Sequence, residues 1–318
     1  MDDVAELREL TAADVEQFIE QGFVIVKDCV DREVMSQWVE RSWSRNGYDP
    51  RDRSTWKEGK IHMPNREFRC VSEIAPRALA AMRDLVGAAC PIPDDLKWGD
   101  GFVANYRLGD DEPWLAPSPE AAGWHKDGDF FLHFLDSPEQ GLLSIVLWDD
   151  VVPGGGGTFI CCDSVGVIAR FLAEHPEGTM PMAFGFSELI KECTDFREAT
   201  GKAGDVYLMH PFMLHTSSRN HSARARLITN PCVFLTEPMR FDREPFESHS
   251  PVERAVLRAL GSRSYTFQPT SPRRRIVPAR LAHQAKLKEE EDRRLSDASR
   301  ALALPVRDRE HTPPRARR

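Results

Sequence analysis

Gly123-Trp124-His125-Lys126-Asp127-Gly128-Asp129 is the stretch on which the reading of this 318-residue chain turns. Side chains alternate along an extended segment, so His125 and Asp127 share one face. One neutral imidazole and one carboxylate on one face supply two of the three ligands of a facial 2-His-1-carboxylate iron site. The dyad alone is weak, because such pairs are common among exposed polar loop residues. A second stretch about ninety residues on, 204–226, adds a third histidine and a well-spaced arginine.

That stretch, Gly204-Asp205-Val206-Tyr207-Leu208-Met209-His210-Pro211-Phe212-Met213-Leu214-His215, reads as a strand entering a turn. Thr216-Ser217-Ser218-Arg219-Asn220 follows, and Arg226 stands eleven residues beyond His215. In order and spacing, His125-x-Asp127, Gly204-Asp205, His215, Ser217, Asn220 and Arg226 resemble the phytanoyl-CoA dioxygenase family of Fe(II)/2-oxoglutarate oxygenases. Gln21-Gly22-Phe23-Val24-Ile25-Val26-Lys27-Asp28 also looks like that family's opening, so the resemblance runs over about residues 10–238.

The resemblance implies that His125, Asp127 and His215 ligate Fe(II), with 2-oxoglutarate and O2 as cosubstrates and no catalytic residue beyond the ligands. It assigns the far carboxylate of 2-oxoglutarate to Arg226. A guanidinium offers that carboxylate a planar pair of donors, which an ammonium does not. Ser217 adds a hydroxyl donor there, and Thr158 is a candidate to line the same pocket, with a plain strand role as its alternative. The implied chemistry is oxidative decarboxylation of 2-oxoglutarate to succinate, coupled to hydroxylation of a small natural-product or lipid-like substrate. A protein hydroxylase and a non-catalytic binding protein on the same fold are the alternatives. One segment departs from the family pattern. Where relatives carry a Pro-Gly-Ser-His-like run, this chain has Phe159-Ile160-Cys161-Cys162-Asp163-Ser164-Val165.

His210 competes with His215 for the third ligand. The two are five apart, so on one continuous strand they face opposite ways. Pro211 interrupts the run and favours a bend. The eleven-residue step to Arg226 holds for His215 and becomes sixteen for His210, which leaves His210 behind the site or in the pocket wall. Arg224 lies two residues from Arg226, on the same face if the segment is extended, but outside the family's spacing. Trp124, Phe130, Phe131 and Trp148 read as core aromatics before pocket walls. His133 reads as a surface or satisfied core histidine.

The rest of the chain frames this site. Hydrophobic content of 41% and charged content of 29% are ordinary for a soluble globular protein. No apolar run nears the roughly 18 residues a bilayer span needs. The acidic start, Met1-Asp2-Asp3-Val4-Ala5-Glu6, lacks the features of a secretion signal, so a cytoplasmic protein is expected. Seven scattered cysteines suggest neither a disulfide framework nor a zinc site. Residues 273–318 hold 14 Lys/Arg against 7 Asp/Glu, about +7, which leaves about −15 on the rest of a chain of net charge −8. An acidic body argues against nucleic acid as a partner. A monomer or homodimer acting on a small molecule, away from membranes, is expected.

Thr11 and Asp31 read as helix caps and Gly22 as a helix stop, giving an N-terminal helix–strand–helix. Strands are expected over 97–108, 142–148, 158–162, 205–209 and 227–235, helices over 77–89, 164–174 and 187–192, and irregular chain over 46–69. Gly154-Gly155-Gly156-Gly157 reads as a tight turn between strands, because it lacks the Lys-Ser/Thr ending of a phosphate loop. Many short strands without β-α alternation favour a mainly β fold with flanking helices. The family resemblance makes its core a double-stranded β-helix, the cupin-like jelly roll. Residues 1–272 are expected to form one domain. Residues 273–318 are expected to form a basic tail, helical or disordered, whose removal leaves that domain folded.

Overall fold

The structure, a computed structural model, describes residues 7–88, 91–181 and 185–303. The acidic start, Ala89, Cys90 and the last fifteen residues of the tail lie outside the described residues.

The chain opens with α1 (Ala12–Gln21), β1 (Phe23–Val26) and α2 (Arg32–Asn46). Thr11 and Asp14 form a reciprocal capping box, and Gly22 closes α1 in the left-handed conformation at φ 75°. Asp31 accepts from the Val34 amide and starts α2. The stretch expected to be irregular holds two short strands, β2 (Lys60–His62) and β3 (Phe68–Cys70). Then come α3 (Val71–Ile74), α4 (Pro76–Val86), β4 (Lys97–Gly99), β5 (Val103–Asn105), β6 (Leu142–Leu147) and β7 (Thr158–Cys161). The single strand expected over 97–108 is two strands in different sheets, broken at Asp100–Phe102. Next are α5 (Ser164–Glu174), α6 (Gly185–Glu188), β8 (Phe196–Ala199), β9 (Val206–Met209), β10 (Leu214–Ser217), β11 (Arg226–Thr229) and β12 (Cys232–Val233). The chain ends in α7 (Pro251–Ala259) and α8 (Arg280–Ala303).

Two antiparallel sheets make the roll. The larger runs β1-β9-β6-β11-β5-β2, with β12 beside β6, and the smaller runs β10-β7-β8. Residue 125 joins the smaller sheet through one bridge to His215. From β5 onward the strands pass back and forth between the two sheets, which is the winding of a double-stranded β-helix. The sheets face each other: Arg226 Nε and Asn105 Nδ2 in the larger donate to the carbonyls of Gly156 and Ser218, which flank strands β7 and β10 of the smaller, at 2.7 and 2.9 Å. β6 lies between β9 and β11 and is buried at all six positions. One face of it looks into the roll and the other lies under helices, so its apolar run is continuous rather than alternating.

Helices cover the outer face of the larger sheet. Phe18 of α1 and Trp38 of α2 are fully buried there, and Trp38 packs on Trp148 with ring centroids 4.8 Å apart. Each such side chain contributes roughly 1.5–3 kcal/mol by leaving water.

Contacts cross the 272/273 boundary expected from charge. Leu132 N–H donates to the Arg274 carbonyl and Ile276 N–H to the Phe130 carbonyl, at 2.9 and 2.8 Å. Glu291 on α8 is only 3% exposed and pairs with Arg45 at 2.7 Å and Arg66 at 3.1 Å. Residues 273–294 therefore reach the body through ionic and backbone contacts, which an apolar-pattern reading does not register.

Candidate metal centre

His125 and His215 are brought together by two backbone hydrogen bonds. Each donates its N–H to the other's carbonyl, at 3.1 and 3.0 Å. This sets the imidazole centroids 4.4 Å apart. Asp127, two residues on, swings its Oδ1 to 3.4 Å from His125 Nε2 and 3.5 Å from His215 Nε2. The three ligand-capable atoms lie within 4.8 Å of one another.

Tautomers follow from what the other ring nitrogens touch. His125 Nδ1 is 2.8 Å from the Gly123 carbonyl and His215 Nδ1 is 3.2 Å from the Met213 carbonyl. A carbonyl only accepts, so each Nδ1 carries a proton, which leaves each Nε2, on the Asp127 side, as the nitrogen able to ligate a metal. Burial acts to raise the Asp127 carboxyl, but the two imidazoles outweigh it and hold the group well below the ordinary carboxylate range. Two imine lone pairs and a carboxylate oxygen converging on one point fit a divalent cation of the iron class. Asn230 Nδ2 reaches Asp127 Oδ2 at 3.3 Å.

Deeper in the roll lies an anion cradle. Lys60, Asn105 and Arg226 stand in register on β2, β5 and β11, so their side chains share the inner face. Arg226 is 1% exposed. Its Nε and Nη1 donate to the carbonyls of Gly156 and Val103, whereas its Nη2 is buried without a partner. Burial pushes the guanidinium down to about 10. An unpartnered donor on a buried cation fits a carboxylate, the group 2-oxoglutarate would bring. Lys60 Nζ donates to Ser217 Oγ at 3.1 Å, and Ser217 is paired with Thr158 across the smaller sheet. Thr158 thus shares the inner face with Ser217 and His215. His62 follows Lys60 by two and faces the same space, exposed at its mouth. Its imidazole is pushed down to about 4 by desolvation and then by Lys60 and Arg226, so it is neutral there.

The site residues foreseen from sequence are therefore brought together. Lys60, His62 and Asn230 were missed. Lys60 and His62 alternate as strand neighbours do, but they sit in a stretch with few apolar residues to mark a strand. The competing residues fall elsewhere. His210 is fully buried behind the roll, where its Nε2 is 3.2 Å from the Val252 carbonyl of α7 and its Nδ1 accepts from the Phe212 amide. It is a core histidine held neutral, its pKa down at about 3 from burial, and it does not line the pocket. Arg224 does not share the inner face with Arg226. It turns outward and pairs with Asp149 at 2.7 Å. Trp148 lies under α2, and Trp124 packs on Phe196. His133 is a buried core residue, with its Nδ1 2.9 Å from Lys126 Nζ and its Nε2 buried without a hydrogen-bond partner.

A second group of metal-capable atoms, which the scattered cysteines did not suggest, joins Cys161, Asp163 and Cys193. Cys193 beside it and burial push the Cys161 thiol up, and it hydrogen-bonds Asp163 at 3.1 Å. Asp163 also accepts from the Thr194 amide and hydroxyl. Cys193 Sγ in turn lies 3.6 Å from the Leu189 carbonyl.

The model of the phytanoyl-CoA dioxygenase (PhyH) family matches residues 18–228. No curated protein matches the chain in sequence. Among solved structures, the non-haem alpha ketoglutarate dependent carbocyclase SnoK from nogalamycin biosynthesis is 14% identical at a TM-score of 0.43, over 71% of this chain and 84% of that one. HygX from Streptomyces hygroscopicus, with nickel and 2-oxoglutarate bound, is 17% identical at 0.41, over 70% and 86%. AviO1 from Streptomyces viridochromogenes Tue57 is 15% identical at 0.41, over 71% and 94%.

Proposed function

The chain belongs to the phytanoyl-CoA dioxygenase family, and from that premise we propose that it is a non-haem Fe(II)- and 2-oxoglutarate-dependent dioxygenase acting on a small organic substrate. The reaction is oxidation, in the simplest case hydroxylation, of an unactivated C–H, with release of succinate and CO2. The observation that carries this reading is the pairing of two features in one cavity: the His125–Asp127–His215 convergence, and the unpartnered Nη2 of Arg226.

Iron, 2-oxoglutarate and O2 supply the oxidising power when bound. The chain supplies position. His125, Asp127 and His215 would hold the metal through two imidazole nitrogens and one carboxylate oxygen, a ligand set that leaves room for cosubstrate and O2. Arg226 receives the far carboxylate of 2-oxoglutarate, flanked by the Lys60 ammonium, the Ser217 hydroxyl and Thr158. Strand pairing fixes Arg226, Lys60 and Ser217 before the cosubstrate arrives, so little ordering remains to be done on binding. The acidic body speaks for a small-molecule rather than a nucleic-acid substrate. Among the described residues no helix is long and apolar enough to cross a membrane.

Uncoupled turnover tests the reading, because it needs a competent site but no substrate. Wild-type protein with Fe(II) is expected to convert 2-oxoglutarate to succinate. Arg226→Lys keeps the charge but loses the fork, so the apparent affinity for 2-oxoglutarate should fall about 10- to 100-fold, the worth of a charge-assisted hydrogen bond. Its metal affinity should not change. Arg224→Lys, at an exposed ion pair, should match wild type. Sensitivity at Arg224 instead of Arg226 would mean that the cradle is misassigned.

A further inference from the structure

Lys126 sits between two of the candidate ligands and points away from both. Its side chain leaves the opposite face of the extended segment and is buried, at 5% exposure. A buried lysine normally has a carboxylate partner, and this one has none within hydrogen-bond reach. Its three donors meet three acceptors of another kind: His133 Nδ1 at 2.9 Å, Gln140 Oε1 at 3.3 Å and the backbone carbonyl of Asp127 at 3.3 Å. The faces of Phe131 and Phe212 close over the ammonium, with ring centroids at 5.5 and 5.7 Å.

The ladder explains why such a group is useful here. The segment joins the smaller sheet through a single bridge at His125. Beyond it, among the described residues, no strand pairing holds the backbone of Asp127. The next residue, Gly128, adopts φ 113°, a conformation that side-chain-bearing residues rarely take. The carboxylate ligand therefore sits where the chain leaves the sheet, and the ammonium of its own neighbour ties its carbonyl to the core at His133 and Gln140.

We propose that Lys126 is a positioning residue for the metal centre, a clamp that fixes Asp127 by joining its carbonyl to His133 and Gln140. The role rests on the metal-site reading above and goes beyond it, because Lys126 touches neither metal nor cosubstrate. With its three donors engaged and its head enclosed by aromatic rings, Lys126 is not free to act as a base or a nucleophile. The contribution is geometric: the carboxylate is held ready, and metal binding need not order it.

The test is Co(II) affinity of the metal-free protein, read from visible absorption, together with the thermal unfolding of that same metal-free protein. Lys126→Met keeps most of the volume and removes the donors. Outer partners of metal ligands typically affect affinity 10- to 100-fold, and a weakening of about that size is expected. The metal-free melting temperature should fall only slightly, because the acceptors stranded at His133, Gln140 and Asp127 are partly offset by the loss of a buried amine that has no carboxylate partner. His133→Leu removes the nearest acceptor and should weaken Co(II) binding in the same direction. It also serves as the test should Lys126→Met fail to fold. Co(II) affinity within twofold of wild type in a folded variant overturns the clamp. So does a loss of affinity matched by an equal loss of metal-free stability, since that is the mark of packing alone. Asp127→Ala separates the two readings. Undiminished Co(II) binding there sinks the metal site itself, whereas loss there with wild-type behaviour in Lys126→Met sinks only the clamp.

Discussion

His215→Ala is expected to lose both bound iron and 2-oxoglutarate turnover, while His210→Ala keeps its iron and loses stability. The two histidines are five residues apart, yet they sit in different environments. His215 Nε2 faces Asp127 at 3.5 Å in the candidate metal centre, whereas both nitrogens of His210 are engaged by the backbone. Removing His215 takes away a ligand, so the loss of metal affinity should exceed the 10- to 100-fold that outer partners cost. Removing His210 leaves a cavity and strands the Val252 carbonyl and the Phe212 amide, at about 2–5 kcal/mol of folding stability. Metal analysis and urea unfolding of the two variants should give opposite patterns. Iron retained in His215→Ala and lost in His210→Ala would place the third ligand on the wrong side of the sheet.

The second large effect lies at the C-terminal helix. Glu291→Ala is expected to destabilise the protein by about 3 kcal/mol, the low end for breaking a buried pair, because Arg45 keeps Asp100 at 2.8 Å. Arg66 retains Asp292 at 2.8 Å, so the loss is partial there too. Lys286→Ala, which removes the exposed Lys286–Glu290 pair, should stay within about 0.5 kcal/mol. Removing residues 273–318 should cost more than Glu291→Ala. It takes away the backbone partners of residues 130–132 and the Arg280 guanidinium that pairs with Asp129 at 2.6 Å. Asp129 is two residues from Asp127, so the truncated protein should also bind metal less tightly. Urea midpoints and Co(II) titration check both. A truncated protein with wild-type stability and metal affinity would show that the docked helix carries no weight.

The part of this site legible in the sequence is the part written locally. His125 and Asp127 declare a shared face by strand parity, as do His215 and Ser217. Caps at Thr11 and Asp31 and the stop at Gly22 mark helices within a few residues of the ends found. Two kinds of feature stayed hidden. Lys60 reaches the cradle only because β2 pairs with β5 and β5 with β11. That register links residues 60, 105 and 226, and no local pattern encodes it. Glu291 is the other kind. On a helix charged nearly all round it looks solvated, and its burial becomes sensible only beside Arg45 and Arg66, more than 220 residues earlier. Helix α7, which holds His210 in the core, belongs with Lys60: no local pattern ties it to the sheet.

The His125–Asp127–His215 convergence and the Arg226 cradle are expected to act as one centre for iron and 2-oxoglutarate. The most direct test is anaerobic titration of the metal-free protein with Fe(II) and then 2-oxoglutarate, followed by visible absorption. A weak charge-transfer band is expected that saturates at one iron per chain, requires both additions, and disappears in Asp127→Ala. No band in the wild type, or an undiminished band in Asp127→Ala, would contradict it.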